Sequence, residues 1–356
     1  MNAGSSSLKL SLLDERDELL AGDELDAPKA RVDDDELRTV IAQLPDVDAV
    51  GHRIVHGGER FKGPVRIDDE VRAALRELTD LAPLHQPKSL AALDAVSRAL
   101  PEVPAVACFD TAFHATLPDA AATYAIPAEW RTRWHIRRYG FHGLSHAYAS
   151  RRAAEMLGDP RGRIVICHLG AGASLAAVSD GHSVDTTMGF TPLDGLVMAT
   201  RSGSLDPGLV LWLLEHERLR ERKLSSALEH DSGLRALAGT ADMREVLAKR
   251  AAGDEAARLA LDVYAHRLRA EVAAMSAALG GLNALVFTGG VGERSAPVRN
   301  EACRGLGFLG VELDARANDQ ATGDTDVSAP GAAVRVLIIA AREDLEIARQ
   351  VREVRA

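Results

Sequence analysis

Short β-type apolar runs alternate along this chain with segments whose apolar residues recur every three or four positions, an alternation that predicts α/β architecture. The runs expected to form strands are Leu8–Leu13, Ala49–Val55, Val103–Phe109, Arg163–Cys167, Leu175–Val178, Ala284–Phe287 and Val334–Ile339. Helical patterns cover Asp33–Leu44, Asp69–Leu81, Lys88–Leu100, Leu144–Leu157, Pro207–Glu217, Asp242–Ala252, Asp254–Leu279 and Glu343–Val354. The longest carries Leu261, Tyr264, Leu268, Val272, Met275 and Leu279 at helical spacing and closes on Gly280-Gly281. Such a stripe is core packing rather than a cofactor site. The stretch from Asp14 to Asp35 is acidic and weakly patterned, so a surface excursion is expected there.

Two turns interrupt the pattern in the same way. Asn2-Ala3-Gly4-Ser5-Ser6-Ser7-Leu8-Lys9 and His168-Leu169-Gly170-Ala171-Gly172-Ala173-Ser174-Leu175 each open on a polar side chain and pass through small residues. Each then enters an apolar stretch that ends in an aspartate, Asp14 and Asp180. Small residues let successive backbone N–H groups approach an anion, forming a concave site. One such turn is weak evidence. Two of them, half a chain apart, suggest a duplicated fold that grips one polyphosphate from both sides. A phosphate turn normally follows a strand, yet the first begins at residue 2. The sheet is therefore expected to lack a strand, at some cost in stability.

Composition narrows the class. A chain of 356 residues points to two domains. The net charge of −10 argues against a general nucleic-acid or membrane-surface binder. Of the 42 basic residues only six are lysines, so Lys9 beside the first turn stands out. Cys108, Cys167 and Cys303 show no C-x-x-C spacing, and the first two sit in apolar runs, which reads as buried thiols in a reducing cytoplasm. With no apolar run of membrane-spanning length and no signal-peptide pattern, a soluble cytoplasmic protein is expected.

Several short segments are denser in polar residues and glycine than their surroundings explain: residues 52–59, 109–114, 137–143, 200–203 and 287–293. Asp110 lies just past an apolar strand, where open α/β sheets place functional groups. Arg53 is embedded within one, which is costly unless an anion or a carboxylate partners it.

These segments, in this order, resemble the acetate kinase family, within the superfamily that joins sugar kinases, actin and certain chaperones. The matching motifs are N-A-G-S-S-S-L-K, H-R-I-V-H-G-G-E, F-D-T-A-F-H, R-R-Y-G-F-H-G, M-G-F-T-P-L-D-G, T-R-S-G and F-T-G-G-V-G-E. The resemblance implies two domains, each a duplicated ribonuclease-H-like fold with a mixed sheet and flanking helices, with the active-site cleft between them. It implies one lobe from residues 1–113 plus 343–356, with the first phosphate turn and the carboxylate-binding residues. The other, residues 114–342, would hold the second turn, the adenosine site and a homodimer interface.

The roles it implies are physically coherent. Arg53 and Arg201 would hold the substrate carboxylate and the moving phosphoryl group through bidentate guanidinium geometry. His142 would donate to an equatorial phosphoryl oxygen, and Asp110 would act near the metal or the carboxyl group. Asn2 and Glu343 match positions associated with Mg²⁺ or Mn²⁺. Lys9, the second turn (His168, Leu169, Gly170, Ala171, Gly172), Asp242, Met243 and Arg244, and Gly290, Val291, Gly292, Glu293 and Arg294 would contact ATP. Val55, Leu84, Phe141 and Pro192 would form an apolar pocket for the methyl group of the acid. Acetate is expected to be preferred and propionate accepted, since one methylene gives only about 1–3 kcal/mol of discrimination. The expected reaction is reversible, in-line transfer from ATP to acetate, giving acetyl phosphate and ADP.

The sequence departs from the family pattern at a few places. Ala171 and Ala173 replace an asparagine and a serine in the second turn, Arg294 and Arg342 replace asparagines, Gln86 replaces an asparagine and Ala199 a glycine. These changes bear on nucleotide choice and catalytic strength more than on reaction type. A sugar or polyol kinase would use Asp110 as a base, but the methyl pocket and paired arginines favour a carboxylate. A non-catalytic nucleotide switch has no use for Arg53, His142 and Arg201 together. Gly143-Leu144-Ser145-His146-Ala147 lacks the last glycine of a nucleophile elbow and follows no apolar strand. Absence of any Gly-Lys dipeptide excludes P-loop chemistry. His52 with His56, and His142 with His146, have metal-compatible spacing but no H-E-x-x-H or cysteine partner, so hydrogen-bonded structural roles are expected for His146 and His114.

Overall fold

A computed structural model describes residues 1–3, 7–26, 34–81 and 86–355. The chain divides into two compact units. The first comprises residues 1–115, 141–148 and 342–356, and the second comprises 116–140 and 149–341. The segment 141–148 thus belongs with the first unit, although the boundary expected at 113/114 leaves it with the second. The reason is local, because Leu144 packs with Val106, Cys108, Ile347 and Val351 in one core cluster.

In the first unit, β1 (Asn2–Ala3), β2 (Ser7–Leu13) and β3 (Leu19–Asp26) form an antiparallel meander. Parallel to one another run β4 (Val50–Ile54) and β6 (Ala105–Phe109), with β5 (Val65–Arg66) antiparallel on the outer side of β6. The amide of Arg53 donates to the Met1 carbonyl at 3.0 Å, so the chain around β1 lies beside β4. That bond links two three-stranded sheets, ordered β3-β2-β1 and β4-β6-β5.

The second unit repeats this plan. Its strands are β7 (Ile164–Leu169), β8 (Ala173–Ser179), β9 (His182–Thr186), β10 (Ala284–Thr288), β11 (Thr325–Asp326) and β12 (Arg335–Ile338). Their order is β9-β8-β7-β10-β12-β11, with β7, β10 and β12 parallel and the two edges antiparallel. Each unit therefore runs meander first, parallel strands next and a short antiparallel strand outermost, as a duplicated mixed fold demands.

Burial explains which segments the hydrophobic pattern revealed. Every residue of β10 is buried, as are all but one of β7 and β8, and these were the apolar runs. The long helix Glu255–Ala278 buries Leu261, Tyr264, Leu268, Val272 and Met275 as expected, while Leu279 caps it half-buried. The acidic stretch is not a simple excursion, because β3 pairs with β2 along its whole length. An edge strand buries only one face, here Leu25 at 3% exposure, while Leu19 and Leu20 stay open, so no apolar alternation marks it. Its turn is built by Asp14, whose Oδ1 accepts from the amides of Arg16 and Glu18 at 2.8 Å. The expected helix start at Asp33 falls outside the described residues, and the helix is described from Asp34 to Ala42.

The three cysteines are buried free thiols, and burial pushes Cys108 and Cys303 up to about 12. Among the described residues no helix is long and apolar enough to cross a membrane.

The C-terminal helix Glu343–Arg355 lies on one face of β4, where Gly51 makes the approach possible. A Cβ at residue 51 would overlap Ile347 Cγ2 and lie 2.7 Å from Val351 Cγ2. Both neighbours are β-branched and stiff at χ1. Gly51→Ala should therefore push the helix off the strand, destabilising the protein by about 1–3 kcal/mol, and displace Glu343 at the helix start. A urea melt with unchanged midpoint would contradict this packing.

Candidate active site

In the first unit the carboxyl ends of two parallel strands bring a cation and an acid together. Arg53 pairs in register with Cys108, and the amide of Asp110 continues the ladder by donating to the Ile54 carbonyl at 3.0 Å. The Arg53 guanidinium grips Asp110 bidentately, with Nε at 3.0 Å from Oδ1 and Nη2 at 2.6 Å from Oδ2. Nη1 donates to the Asn2 side-chain oxygen at 3.0 Å, and the Asn2 amide donates to Glu343 Oε2 at 2.6 Å. Glu343 Oε2 lies 3.9 Å from Arg53 Nε. Burial pushes the Asp110 carboxyl up, with Glu343 adding to the shift and Arg53 opposing it. For Arg53, burial alone would lower the guanidinium, but Asp110 and Glu343 outweigh it and hold the charge in place.

His142 is delivered to this unit by a turn that docks on Asp110. The Gly143 amide donates to the Asp110 carbonyl at 2.9 Å, so close that a Cβ at Gly143 would overlap that oxygen. His142 itself has φ of 55°, the left-handed region, where a non-glycine residue sits at a cost of about 1–2 kcal/mol. Its carbonyl accepts from the His146 amide at 2.9 Å, opening the helix Gly143–Leu157. Backbone strain of this kind is held in place by the surrounding structure and is common at functional sites.

Phe141 is clamped at both ends. Its carbonyl lies 3.0 Å from His114 Nε2, and its ring meets His56 edge-on at 5.6 Å. His56 in turn accepts from the Gly58 amide at 2.9 Å, and its backbone is held on both sides by the buried Gln86 side chain. Val55 is also buried, at 8% exposure. Leu84 lies outside the described residues, as do residues 4–6 of the first turn. Lys9 is on β2 opposite Asn2, exposed, with Nζ 3.8 Å from Glu24 Oε2.

The second unit carries its own set. The turn Gly170–Gly172 closes the β7–β8 hairpin, with His168 and Leu169 on β7 and the Gly170 amide bonded to the Gly172 carbonyl at 2.9 Å. The loop bearing Arg201 is tied to this turn through the Ala199 amide, which donates to the Ala171 carbonyl at 3.1 Å. It is tied again to the segment 232–235 through the amides of Ser232, Leu234 and Arg235. Arg201 Nε pairs with Glu229 Oε2 at 3.1 Å, and Nη1 donates to the Pro192 carbonyl at 3.2 Å. Burial lowers the Arg201 guanidinium from its ordinary range, with Glu229 opposing the shift.

The remaining nucleotide candidates also lie in the second unit. Asp242 caps the helix Met243–Ala251 and pairs with the exposed Arg244, while Met243 is a core residue at 5% exposure. Residues 289–294 form a short helix after β10, whose last residue Thr288 pairs with His168. A cavity of about 370 Å³ borders Glu293 and Arg294 and extends past Asn318 and Thr322 to Ala340.

An acetokinase family model matches residues 21–349. The acetate kinase of Nostoc punctiforme is 50% identical over 313 residues, covering 87% of this chain and 77% of its own. The crystal structure of Porphyromonas gingivalis acetate kinase superposes with a TM-score of 0.91 at 35% identity, covering 100% of this chain and 98% of the other. A Francisella tularensis propionate kinase structure gives 0.91 at 35% identity, with coverage of 98% and 97%.

The chain belongs to the acetokinase family. It is accordingly a kinase that uses ATP to phosphorylate a carboxylate, and its two-unit mixed α/β fold is the one the family resemblance implied.

The acetokinase residues that the sequence singled out thus form two groups. Asn2, Arg53, Val55, Asp110, Phe141, His142 and Glu343 lie in the first unit, and Pro192, Arg201 and the second phosphate turn in the second. Sequence reasoning missed Glu229 and Arg299. Glu229 sits in a helix with no distinguishing motif, 28 residues beyond the arginine it holds. Arg299 is 2% exposed and donates to the carbonyls of Gly292 and Glu293 at 2.9 and 2.7 Å, fixing the end of the 289–294 helix. Arg342 is engaged by Asp344 at 2.9 Å, which keeps the substituted guanidinium off the neighbouring Glu343. Among the described residues no cluster of three or more histidine, cysteine, aspartate or glutamate side chains could hold a metal.

Three histidines of the first unit are held neutral by burial, His52 at about 3 and His56 and His114 at about 4, against an ordinary value of 6.5. The unfolded chain takes up these protons near pH 6.5, whereas the folded protein resists until the lower values. Their contribution to stability is thus complete above pH 6.5 and is lost as pH falls toward 4. Each should add about 1.4 kcal/mol of destabilisation per pH unit within that window. Thermal melts followed by circular dichroism should show a midpoint that falls between pH 6.5 and 4. A flat midpoint there would falsify the neutral, buried assignment.

Proposed function

We propose that this chain transfers the γ-phosphoryl group of ATP directly to acetate, giving acetyl phosphate and ADP, and catalyses the reverse reaction as well. The observation that supports this most is the state of Arg53. A guanidinium has five N–H donors, and Asp110 and Asn2 engage three of them, at Nε, Nη2 and Nη1. The two that remain lie on Nη1 and Nη2, the pair of nitrogens suited to a bidentate oxyanion. Asp110 fixes the plane in which they are offered.

A carboxylate is ionised well above its pKa of about 4, so attack on the γ-phosphorus calls for no strong general base. The barrier is repulsion between acetate and the ATP polyanion. Arg53 would hold the acid, Arg201 the transferring phosphoryl group, and His142 would donate to an equatorial oxygen, so that the donors meet charge where it accumulates. The second turn, Lys9, Asp242 to Arg244 and Gly290 to Arg294 would hold ATP, the turn mainly through backbone N–H groups. Asn2 and Glu343 fit Mg²⁺ or Mn²⁺. Both present hard oxygen donors, and a nucleotide-bound Mg²⁺ needs few protein ligands because phosphates and waters complete its shell. The ion would supply charge neutralisation on the phosphates.

Val55 and Phe141 are apolar, buried and adjacent in the first unit to the residues that would hold the acid, which suits a methyl group. Propionate is the second reading, favoured by the likeness to a propionate kinase structure. Hydroxylamine trapping of acyl phosphate should give hydroxamate with acetate, less with propionate and none with glycerol. Arg201→Ala should fold normally and lose about 10²–10³ in kcat. ATP turnover stimulated by glycerol instead would support a polyol kinase.

A homodimer in the cytoplasm completes the reading. The helix Pro207–Glu215 carries Leu209, Val210, Leu211, Trp212, Leu213 and Leu214 yet buries none of them, and Trp212 is 47% exposed. A second copy would cover that surface. Trp212→Glu should shift the protein to monomer by light scattering while its helical content stays unchanged. A dimer unaffected by both Trp212→Glu and Leu209→Glu would place the interface elsewhere.

A further inference from the structure

Arg138 lies in the second unit, outside the catalytic set, and its guanidinium fastens the loop that leads to Arg201. Its Nη1 donates to the carbonyls of Thr187 and Met188 at 3.1 and 3.0 Å and lies 3.5 Å from Asp194 Oδ2. Two successive carbonyl dipoles turned toward one point repel each other, and a charged donor between them offsets that repulsion. The same guanidinium sits over the Tyr124 ring at 5.7 Å, and the Tyr124 hydroxyl accepts from the Phe190 amide at 2.9 Å. The Tyr139 amide donates to the Gly189 carbonyl at 3.1 Å. Thr187, Met188, Gly189 and Phe190 are thus each bonded to the segment 124–139. The approach is close: a Cβ on Gly189 would overlap the Tyr124 hydroxyl and lie 2.6 Å from Asp194 Oδ2.

Asp194 carries this anchorage toward Arg201. Its Oδ1 accepts from the Gly195 amide at 2.9 Å and from the Ser204 hydroxyl at 2.6 Å, and the Ser204 amide donates to the Gly195 carbonyl at 3.0 Å. Residues 195–204 therefore form a loop closed at its neck, with Arg201 inside it. The Arg201 guanidinium has one anchor in Glu229, whose Oε2 is 3.1 Å from Nε, and another in the Pro192 carbonyl, 3.2 Å from Nη1. Two anchors define the plane of a guanidinium, whereas a single one lets it turn. Pro192 has no amide to donate, so its place is set from either side, by Met188 and Asp194. Those are two of the residues that Arg138 holds.

We propose that Arg138 is a positioning residue for phosphoryl transfer. By holding Met188 and Asp194 it fixes the Pro192 carbonyl and the neck of the loop, and so the angle at which Arg201 meets the phosphoryl group. The proposal rests on the role given to Arg201 above, and Arg138 acts through that residue rather than on the reactants. A residue that only stabilised the fold would change the melting temperature. A positioning residue lowers the turnover of the folded protein, and does so only while the group it positions is present.

The test is a mutant cycle on the full chain: wild type, Arg138→Gln, Arg201→Ala and the double variant. Each is assayed by hydroxamate formation from acetate and ATP with Mg²⁺, and its folding is followed by circular dichroism. Arg138→Gln should lose about 10- to 10²-fold in kcat, the scale of loss expected when a reacting group is misplaced by about 1 Å. Its KM for ATP should stay within about twofold of wild type. In the Arg201→Ala background the same substitution should cost nothing further, because the positioned group is gone. Asp194→Asn keeps Oδ1 as acceptor for Gly195 and Ser204 but removes the charge facing Arg138. It should show a smaller loss that vanishes in the same background, and it decides the matter if Arg138→Gln does not fold. Wild-type kcat in the folded variant, a loss that multiplies with that of Arg201→Ala, or a raised KM for ATP with kcat unchanged would each overturn the proposal. An Arg201→Ala protein of wild-type activity would instead overturn the role of Arg201, which that single variant reveals by itself.

Discussion

The structure of the first unit depends on how a guanidinium is kept inside a strand. Arg53 lies in β4, and a buried cation without a counter-charge is among the more costly arrangements a protein can hold. Asp110 removes that cost by lying one step beyond the neighbouring parallel strand, where the ladder sets its position to within a hydrogen bond. Asn2 and Glu343 extend the network from β1 and from the start of the C-terminal helix. Three distant pieces of sequence are thus fixed by one side chain. Breaking the pair from the Asp110 side would leave the cation with only Glu343, 3.9 Å from Nε, as counter-charge, so the acid holds the network together.

The second unit treats its arginine in the same way, with Glu229 as the counter-charge. Each pair is close to neutral overall. In the proposed mechanism, catalysis between two anions would rest less on a surplus of positive charge than on N–H groups already aimed, since donors fixed in advance need no reorganisation as charge develops. Fixed carboxylates do that aiming. They also make the arginines poor at attracting anions from a distance, which agrees with a protein whose net charge is −10.

Much of this was legible in the sequence, and the limits have physical causes. Buried parallel strands such as β7 and β10 read clearly because both faces are apolar. The position of Arg53 inside such a run predicted a carboxylate or anion partner, and Asp110 is that partner. Strand β3 was missed because an edge strand buries one face only, and the helix Glu221–His230 because just two of its residues, Leu224 and Glu229, are buried. Glu229 illustrates a further limit: its pairing with Arg201 depends on how loop 198–201 docks on residues 232–235, and no spacing rule encodes that. Met243 shows the opposite case, a residue assigned by motif whose side chain is in the core, leaving its backbone and its neighbours to face any ligand.

The substitutions in the second turn make sense on the same grounds. Ala171 and Ala199 replace larger or more permissive residues, yet the two are joined main chain to main chain at 3.1 Å. A turn whose geometry is set by backbone hydrogen bonds keeps its N–H groups in place when side chains are trimmed. What the alanines lack is the extra donor a longer polar side chain would offer, while the frame is kept. Because the Arg201 loop is fastened to that same frame, the position of Arg201 is insulated from the change. In the second unit the carboxyl end of β7 therefore meets a turn closed by main-chain bonds, and that turn and the Arg201 loop share one backbone frame.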